Sequence, residues 1–189
     1  METPLLTETD IRLRIWMELQ RAVNDRHHEW RTPVLATLGA DGLPQARTVV
    51  LRQVHIQRGQ LQIYTDRRSP KVAEMTVTPG VTLAFWSKRL GWQIRVQATT
   101  VVQHAGAEVN AVWAKVSQSP AAGDYLSALA PGELVGNPGV TSAAALNDAP
   151  THHLAIVTAQ VQSIDWLELA RSGHRRALIE ANSWSWRVP

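Results

Sequence analysis

The chain has 189 residues, a formal net charge of +3, and 44% hydrophobic and 19% charged residues. This is an ordinary globular composition at a length sufficient for one buried core, so we predict a single domain over residues 1–189. The absence of cysteine excludes disulfide bonds, thiolate nucleophiles and Cys-ligated metals. No apolar run approaches the ~18 residues of a membrane span, and the first ten residues lack a secretion signal. We therefore expect a cytoplasmic protein without a membrane partner.

The first predicted element is an amphipathic helix over about residues 9–25, where Ile11, Ile15 and Leu19 recur at helical spacing. After Trp30 the pattern changes to short β-rich runs. The segments TPVLATLG and LPQARTVVLRQVHI flank the turn sequence GADG, which predicts a β-hairpin with these two runs as its strands.

The strand QLQIYT comes next and leads into a short helix over about residues 69–76. The runs VTLAFWSK and GWQIRVQATTVVQ predict a second hairpin, with its turn at residues 89–91. The composition is helical over about residues 107–129. Residues 131–150 are rich in Gly, Pro, Ala, Ser and Asn, so we expect a long loop there.

Strand patterns return in HLAIVTAQVQSIDWLEL, HRRALIEA and SWSWRV. About six short strands with antiparallel turn signals predict a mainly β fold, a small antiparallel barrel with peripheral helices. The chain has no alternating series of strands and helices, which disfavours a doubly wound sheet.

Several catalytic signatures are missing. The sequence contains no G-x-G-x-x-G, G-x-x-x-x-G-K-[ST] or G-x-S-x-G, so Rossmann, P-loop and nucleophile-elbow sites lack their motif. The seven histidines form no H-x-x-x-H or H-E-x-x-H pair. We therefore predict no metal site, and surface or loop positions for the histidines.

The segment YTDRRSPK, residues 64–71, combines hydroxyls and cations at the start of a predicted helix. Ser69 is a good N-cap and Pro70 suits the first helical position. The free backbone N–H groups of Lys71 and Val72 would then point out of the helix start, where the helix dipole favours an anion. The Lys71 ammonium adds a full charge, so the pattern predicts a phosphate-binding site.

The preceding segments offer further phosphate ligands. Thr65 supplies a hydroxyl at the end of its strand, and RTVVLR supplies the guanidiniums of Arg47 and Arg52, which can hold a phosphate through paired donors. Because the two arginines are five residues apart, a regular strand sends them to opposite faces. Either a bulge realigns them or only one faces the anion. The alternative interpretation is a capped helix beside an ordinary charged strand.

The segments RTVVLR, YTDRRSPK and WQIRV, in this order and spacing, resemble the FMN-binding core of the pyridoxamine 5'-phosphate oxidase-like split-barrel family. The resemblance is closest to a branch of flavin-binding proteins related to that oxidase, and it covers about residues 31–187. It implies an FMN-binding split β-barrel and a homodimer with FMN at the subunit interface. The cofactor-binding residues that it implies are Arg47, Thr48, Val49, Val50, Leu51, Arg52, Tyr64, Thr65, Ser69, Lys71, Gln93, Trp166 and Arg176. Among them, Trp166 and Arg176 have the ten-residue spacing of the family's tryptophan and arginine.

The chain departs from the orthodox oxidase where that enzyme binds its substrate. Ser172 stands in place of a substrate-binding arginine, and VWAKVSQSPAAGDY has no arginine where the oxidase has a Tyr/Arg/Ser set. Apart from these, Pro70 in YTDRRSPK replaces an arginine of the oxidase that donates to the phosphate. Without the substrate-binding guanidiniums a dianionic phosphate binds more weakly, so the orthodox substrate is in doubt. Trp113 lies near the tyrosine position and His174 keeps a histidine position, which makes both of them candidate substrate contacts.

The function that this resemblance implies is an FMN-dependent oxidoreductase that transfers a hydride from a small-molecule substrate to FMN. Arg52 and His174 are the candidate catalytic residues, and Gln93 is a second candidate to stabilise charge on the flavin. One alternative is a non-catalytic FMN carrier or sensor, favoured by the missing substrate arginines. A remote alternative is a basic nucleic-acid-binding module, which usually has aromatic residues interleaved with cations on one open surface. One phosphate pocket explains the basic clusters of this sequence better. We therefore expect no nucleic-acid partner.

Overall fold

The computed structural model describes residues 6–135 and 152–189. The helices of these residues are α1 (Glu8–Asn24), α2 (Pro70–Val77) and α3 (Ala107–Val116), with short 3₁₀ turns at Glu29–Arg31, Ile56–Arg58 and Pro120–Tyr125. The strands are β1 (Val34–Leu38), β2 (Pro44–Thr48), β3 (Leu51–His55), β4 (Gln60–Asp66), β5 (Gly80–Ser87), β6 (Trp92–Gln103), β7 (Leu154–Glu168), β8 (Arg175–Glu180) and β9 (Trp184–Arg187). Most of the loop predicted at 131–150 lies outside the described residues.

Helix α1 follows the predicted amphipathic pattern. The Thr7 side chain accepts a hydrogen bond from the Asp10 N–H, and the Asp10 carboxylate accepts one from the Thr7 N–H. This reciprocal pair fixes the start of the helix. Ile11, Ile15 and Leu19 form its buried stripe. Within residues 6–135 and 152–189, none of the helices combines the length and the apolar character needed to cross a membrane.

The strands form one antiparallel sheet in the order β2-β1-β5-β6-β7-β4-β3, and β8 pairs with β7 and with β9. Both predicted hairpins are confirmed, as β1 pairs with β2 and β5 pairs with β6. The count of about six strands is too low, because the described residues form nine. Strands β2 and β3 lie at the two ends of the pairing path and do not pair with each other, so the described sheet is not closed. This is the arrangement of a split barrel.

The structure corrects the prediction that RTVVLR lies in a single strand. Strand β2 ends at Thr48 and β3 begins at Leu51, so the chain changes pairing partner between them. The Val49 N–H donates to the Pro33 carbonyl over 2.9 Å. Val49 and Leu51 are buried, Val50 is half-buried, and the Thr48 side chain is exposed. The apolar run therefore anchors a strand break in the core, and the residues on either side of it lie at opposite ends of the sheet path.

The core has two parts. The main cluster fills the interior between the strands and α1, and its largest fully buried side chains include Trp30, Trp92, Trp166 and Phe85. A smaller cluster lies between α3 and the outer face of β4 and β7. Its buried members are Val109, Val112, Tyr125, Leu154 and Ile156, with Tyr64, Trp113 and Val116 packed against them. Helix α3 thus covers only one part of the outer sheet surface.

His28 lies in the loop between α1 and the first 3₁₀ turn, one of the two kinds of position predicted for the histidines, but it is buried. It is only 8% exposed, its Nε2 lies 2.7 Å from a carboxylate oxygen of Glu18, and its Nδ1 accepts the Trp30 N–H. Burial acts to raise the pKa of Glu18, but the hydrogen bond from His28 and the charge of Arg89 outweigh it and lower that pKa. This contact ties α1 to the 3₁₀ turn that leads into the sheet.

Candidate cofactor site

A basic cluster lies where β4 ends and α2 begins. Its members are Thr37, Arg47, Thr65, Ser69, Lys71 and Glu74. The Lys71 Nζ donates to the Thr65 hydroxyl over 3.0 Å and to the Ser69 hydroxyl over 2.6 Å. Only three residues separate β4 from α2, and this short connection places Thr65 next to Lys71. The structure thus brings together four of the predicted phosphate ligands: Arg47, Thr65, Ser69 and Lys71.

The start of α2 differs in detail from the prediction. Ser69 is the N-cap residue, but its hydroxyl makes no capping hydrogen bond and instead accepts one from Lys71. The Val72 N–H, predicted to be free, donates to the Ser69 carbonyl over 2.8 Å. The cluster therefore offers an anion mainly the Lys71 and Arg47 side chains, with the hydroxyls beside them.

The Arg47 guanidinium is held by two residues that the sequence argument missed. Its Nη2 donates to Glu74 Oε2 over 2.9 Å and its Nη1 donates to the Thr37 hydroxyl, which itself donates to Glu74 Oε2. Two sequence signals were available. Glu74 is one helical turn after Lys71 and shares its face of α2, and Thr37 is the diagonal neighbour of Arg47 across the first hairpin.

Burial and charge both act on Lys71. Burial lowers its pKa, the charge of Arg47 lowers it further, and Asp66 and Glu74 oppose these effects. Asp66 is itself paired with Arg68 over 2.7 Å. The cluster therefore holds two close cations, Arg47 and Lys71, against one direct carboxylate, Glu74. A partly buried group of this composition, with two hydroxyls at hydrogen-bond distance, fits a phosphate dianion.

Arg52 lies apart from the basic cluster. Its guanidinium carbon is 5.9 Å from the centre of the Tyr64 ring, and its Nε is buried without a hydrogen-bond partner among the described residues. Burial raises the pKa of Tyr125, and the neighbouring Arg52 opposes that shift only in part. The Tyr64 hydroxyl accepts a hydrogen bond from Gln53 over 2.7 Å. The break between β2 and β3 thus sends Arg47 and Arg52 to different surroundings.

The two candidate substrate contacts are also separate from each other. Trp113 is stacked on His152, with ring centres 4.4 Å apart, and meets Tyr125 edge-on within the smaller core cluster. His174 is exposed in the turn between β7 and β8. The structure does not bring these two side chains together within this chain.

Gln93 and Arg176 share one face of the sheet, because Gln93 pairs with Leu167 and Leu167 pairs with Arg176. Arg176 donates two hydrogen bonds to the Asp165 carboxylate, of 3.0 and 2.7 Å, and Asp165 also binds Arg95. The hydrogen bond to Asp165 raises the pKa of Arg176. Burial acts to raise the pKa of Asp165, but the two arginines outweigh it and lower that pKa.

Trp166 occupies the opposite face of the same sheet. It pairs with Ile94 and Ala177, is fully buried, and packs edge-on against Trp92 at 5.2 Å between ring centres. Its indole N–H has no hydrogen-bond partner within the described residues. The ten-residue spacing of Trp166 and Arg176 therefore does not place them on a common surface.

Comparison with known sequences gives a family match over residues 13–104, to the model described as "Pyridoxamine 5'-phosphate oxidase, FMN-binding domain". The chain is 39% identical over 98 residues to a pyridoxine/pyridoxamine 5'-phosphate oxidase of Thermosynechococcus vestitus, covering 52% of this chain and 44% of that protein. It is 39% identical over 88 residues to one of Chromohalobacter salexigens, covering 45% and 39%. In both alignments this chain spans less than half the length of the curated relative.

Two solved structures share the fold over nearly the whole chain. A pyridoxamine 5'-phosphate oxidase-related, FMN-binding protein of Nostoc punctiforme superposes with a TM-score of 0.71 at 19% identity, covering 98% of this chain and 100% of that one. PhzG of Burkholderia lata, solved with tetrahydrophenazine-1-carboxylic acid, superposes with a TM-score of 0.70 at 21% identity, covering 96% and 92%. These similarities confirm the predicted mainly antiparallel split-barrel fold.

Proposed function

Because this chain belongs, through residues 13–104, to the pyridoxamine 5'-phosphate oxidase-like FMN-binding family, we propose that it is an FMN-dependent oxidoreductase. The predicted family is confirmed by this match, and so is FMN as the cofactor of the matched domain. The proposal goes further and assigns the chain a reaction, the transfer of a hydride from a small-molecule substrate.

The basic cluster is the observation that carries this proposal. Arg47 and Lys71 lie close enough for one to lower the pKa of the other, and Thr65 and Ser69 offer hydroxyls at the same place. Two close cations that are only partly neutralised favour an anionic ligand, and a phosphate accepts hydrogen bonds from all four groups. We assign the FMN phosphate to this cluster.

For the flavin ring we propose the outer face of the sheet that carries Gln93 and Arg176. Trp86 pairs with Gln93, shares this face and is 47% exposed. Val34 and Leu38 lie on the same face of the next strand, β1, and are each 41% exposed. An apolar surface of this kind suits contact with a second copy of the chain, which is where the family resemblance implies that FMN lies. The homodimer, the single domain and the cytoplasmic location stay predictions.

When bound, FMN supplies the hydride acceptor, so the chain itself contributes binding, orientation and charge stabilisation. The half-buried Arg52 offers a positive charge beside Tyr64 and Tyr125. Gln93 offers an amide on the outer face of the sheet, and the exposed His174 can bind the substrate or exchange a proton with it. The missing arginines of the orthodox oxidase favour a substrate that is not a phosphate dianion.

A second candidate function is a non-catalytic FMN carrier or sensor. One observation favours it: Trp113, predicted to line the substrate side, is stacked on His152 and packed in the smaller core cluster. A side chain committed to a core has little surface left for a substrate. In this alternative the chain binds flavin through the same basic cluster but has no organic substrate.

The visible absorption spectrum of the purified protein, recorded before and after FMN addition and desalting, tests the binding part of the proposal. We expect a retained flavin spectrum. An aerobic substrate screen, begun with pyridoxamine and pyridoxine phosphates and continued with uncharged and carboxylated ring compounds, then tests the reaction. Bleaching of the bound flavin by one compound under anaerobic conditions supports the oxidoreductase. A flavin that no compound reduces supports the carrier or sensor, and a protein that retains no flavin contradicts both.

A further inference from the structure

Glu74 is an acidic residue in a cluster that we assign to an anion. Its carboxylate lies on α2, one helical turn after Lys71, and its side chain is only 12% exposed. One of its oxygens, Oε2, accepts hydrogen bonds from both Arg47, over 2.9 Å, and Thr37, over 2.5 Å. A buried carboxylate beside a phosphate opposes binding by charge, so its presence in this cluster requires a physical reason.

The hydrogen-bond geometry supplies that reason. Arg47 uses Nη2 for Glu74 and Nη1 for Thr37, so both contacts lie at the end of the guanidinium. The guanidinium has several N–H donors in a rigid plane, and these two contacts leave others for a ligand. An arginine without such contacts retains much of its side-chain conformational freedom, and binding then has to order it. Glu74 and Thr37 together hold the guanidinium in one orientation.

The negative charge of Glu74 and its role as a hydrogen-bond acceptor have opposite effects on an anion. The charge weakens phosphate binding, whereas the acceptor holds the group that binds it. Replacement by Ala and replacement by Gln both remove the charge, but Gln keeps an oxygen that can accept from Arg47. Ala and Gln are both good helix formers, so α2 is little affected by either replacement. The difference between these two variants therefore isolates the acceptor.

We infer that Glu74 is a positioning residue that, with Thr37, orients the Arg47 guanidinium toward the cofactor phosphate. The inference rests on the proposed function, because it takes the basic cluster to be the phosphate site. It assigns Glu74 no contact with the cofactor. The effect of Glu74 on binding affinity is therefore specific to ligands that carry the phosphate.

The test compares the affinities of Glu74→Ala and Glu74→Gln for FMN and for riboflavin, which lacks the phosphate, by titration of flavin fluorescence. We expect Glu74→Ala to bind FMN about tenfold more weakly than Glu74→Gln, the effect of one lost hydrogen bond to a charged group. We expect both variants to bind riboflavin equally within about twofold. General structural damage would weaken both ligands together and would leave the ratio of the two affinities unchanged.

Thr37→Val gives a second test that keeps the charge of Glu74. It tests the orientation of Arg47 even if Glu74→Ala does not fold. It is expected to weaken FMN severalfold and to leave riboflavin unchanged. Glu108→Ala and Glu108→Gln are the matched controls, since Glu108 lies on α3 and contacts Gln62 instead. Equal FMN affinity of the two Glu74 variants overturns the inference while the proposed function stands. Equal affinity of the unaltered protein for FMN and riboflavin overturns the phosphate site, and the inference with it.

Discussion

The basic cluster and the Gln93–Trp166–Arg176 region were predicted with the same cofactor in view, yet they differ in how far this chain assembles them. In the basic cluster, Lys71 contacts Thr65 and Ser69 directly, and Arg47 is close enough to shift its pKa. In the second region, Trp166 is buried in the core on one face of the sheet. Arg176, on the other face, is paired with Asp165.

Local sequence is sufficient to assemble the basic cluster but not the second region. Thr65, Ser69 and Lys71 are joined by one short connection, so the same local signals that start α2 also gather the ligands. The second region depends on strand register across β6, β7 and β8. A side chain there points inward or outward according to a single residue of register, and motif spacing does not determine it.

The largest expected effect concerns Trp166. Because Trp166 is fully buried in the core, Trp166→Ala is expected to lower the free energy of unfolding by about 3–5 kcal/mol, the usual cost of truncating a buried tryptophan to alanine. Urea denaturation of the protein without flavin measures this change. Leu13→Ala is the control, because Leu13 lies on α1 and is 59% exposed, and its expected cost is below about 1 kcal/mol. Equal costs would show that Trp166 does not lie in the core.

The next effect concerns the basic cluster. Arg47→Ala and Lys71→Ala are each expected to weaken FMN binding by about 10- to 100-fold, because each removes charge-assisted hydrogen bonds to the phosphate. Riboflavin affinity should change much less. Lys115→Ala, which removes an exposed cation from α3, serves as the control. Loss of riboflavin binding in step with FMN would show that these side chains support the fold or the ring, not the phosphate.

The pH dependence of FMN binding follows from Lys71. Its pKa without FMN is lowered by burial and by Arg47, and a phosphate dianion beside it raises that pKa, so binding takes up a proton. FMN affinity should be full at a pH below the lowered value. It should then fall, by at most about tenfold per pH unit, as the pH rises through the interval between the two values.

The same shift predicts how stability depends on pH when FMN is absent. Between the lowered pKa of Lys71 and its ordinary value of 10.5, the unfolded chain binds more protons, so stability rises with pH across that interval. Lys71→Met should remove the contribution of Lys71 to both dependences in titrations performed above about pH 7.5, where the FMN phosphate is already a dianion. A pH-independent difference between the two proteins would rule out Lys71 as the titrating group.

The smallest effect is expected at Asp165. It pairs with Arg176 and Arg95, but these arginine side chains are 32% and 48% exposed, so solvent screens the pairs. In protein dilute enough to be monomeric, Asp165→Asn should lower the free energy of unfolding by less than about 1 kcal/mol in urea denaturation. A cost several times larger at higher protein concentration would mean that this face is covered there, as contact with a second copy would cause.

Much of the fold follows from sequence pattern. The capped start of α1, both hairpins and the start of α2 at Pro70 each depend on cap, turn or proline chemistry within a few residues. The break in RTVVLR was not predictable in this way. Its Val49–Leu51 run is as favourable in a strand as its neighbours, and only the barrel interior makes the chain change partner there.

In the candidate site, too, contacts within one local segment were predictable and most contacts between elements were not. Lys71, Thr65 and Ser69 were predicted from one local segment, whereas the contacts of Arg47 with Thr37 and Glu74 cross between elements. The contact with Thr37 follows the diagonal-neighbour rule across the first hairpin and was predictable from it. The contact with Glu74 joins β2 to α2, and no local rule predicts it. The pairing of Arg176 with Asp165 depends on where the turn after β7 ends, which sequence spacing alone does not specify.

A side-by-side titration of the purified, flavin-free protein with FMN and with riboflavin, under one set of conditions, tests directly whether the basic cluster binds the cofactor phosphate. The two ligands share the ring and differ in the phosphate, so their affinity ratio reports on the basic cluster. We predict that FMN binds at least about 100-fold more tightly, the value of two or more charge-assisted hydrogen bonds. Equal affinities, or no binding of either ligand, would contradict the assignment of the cluster as the phosphate site.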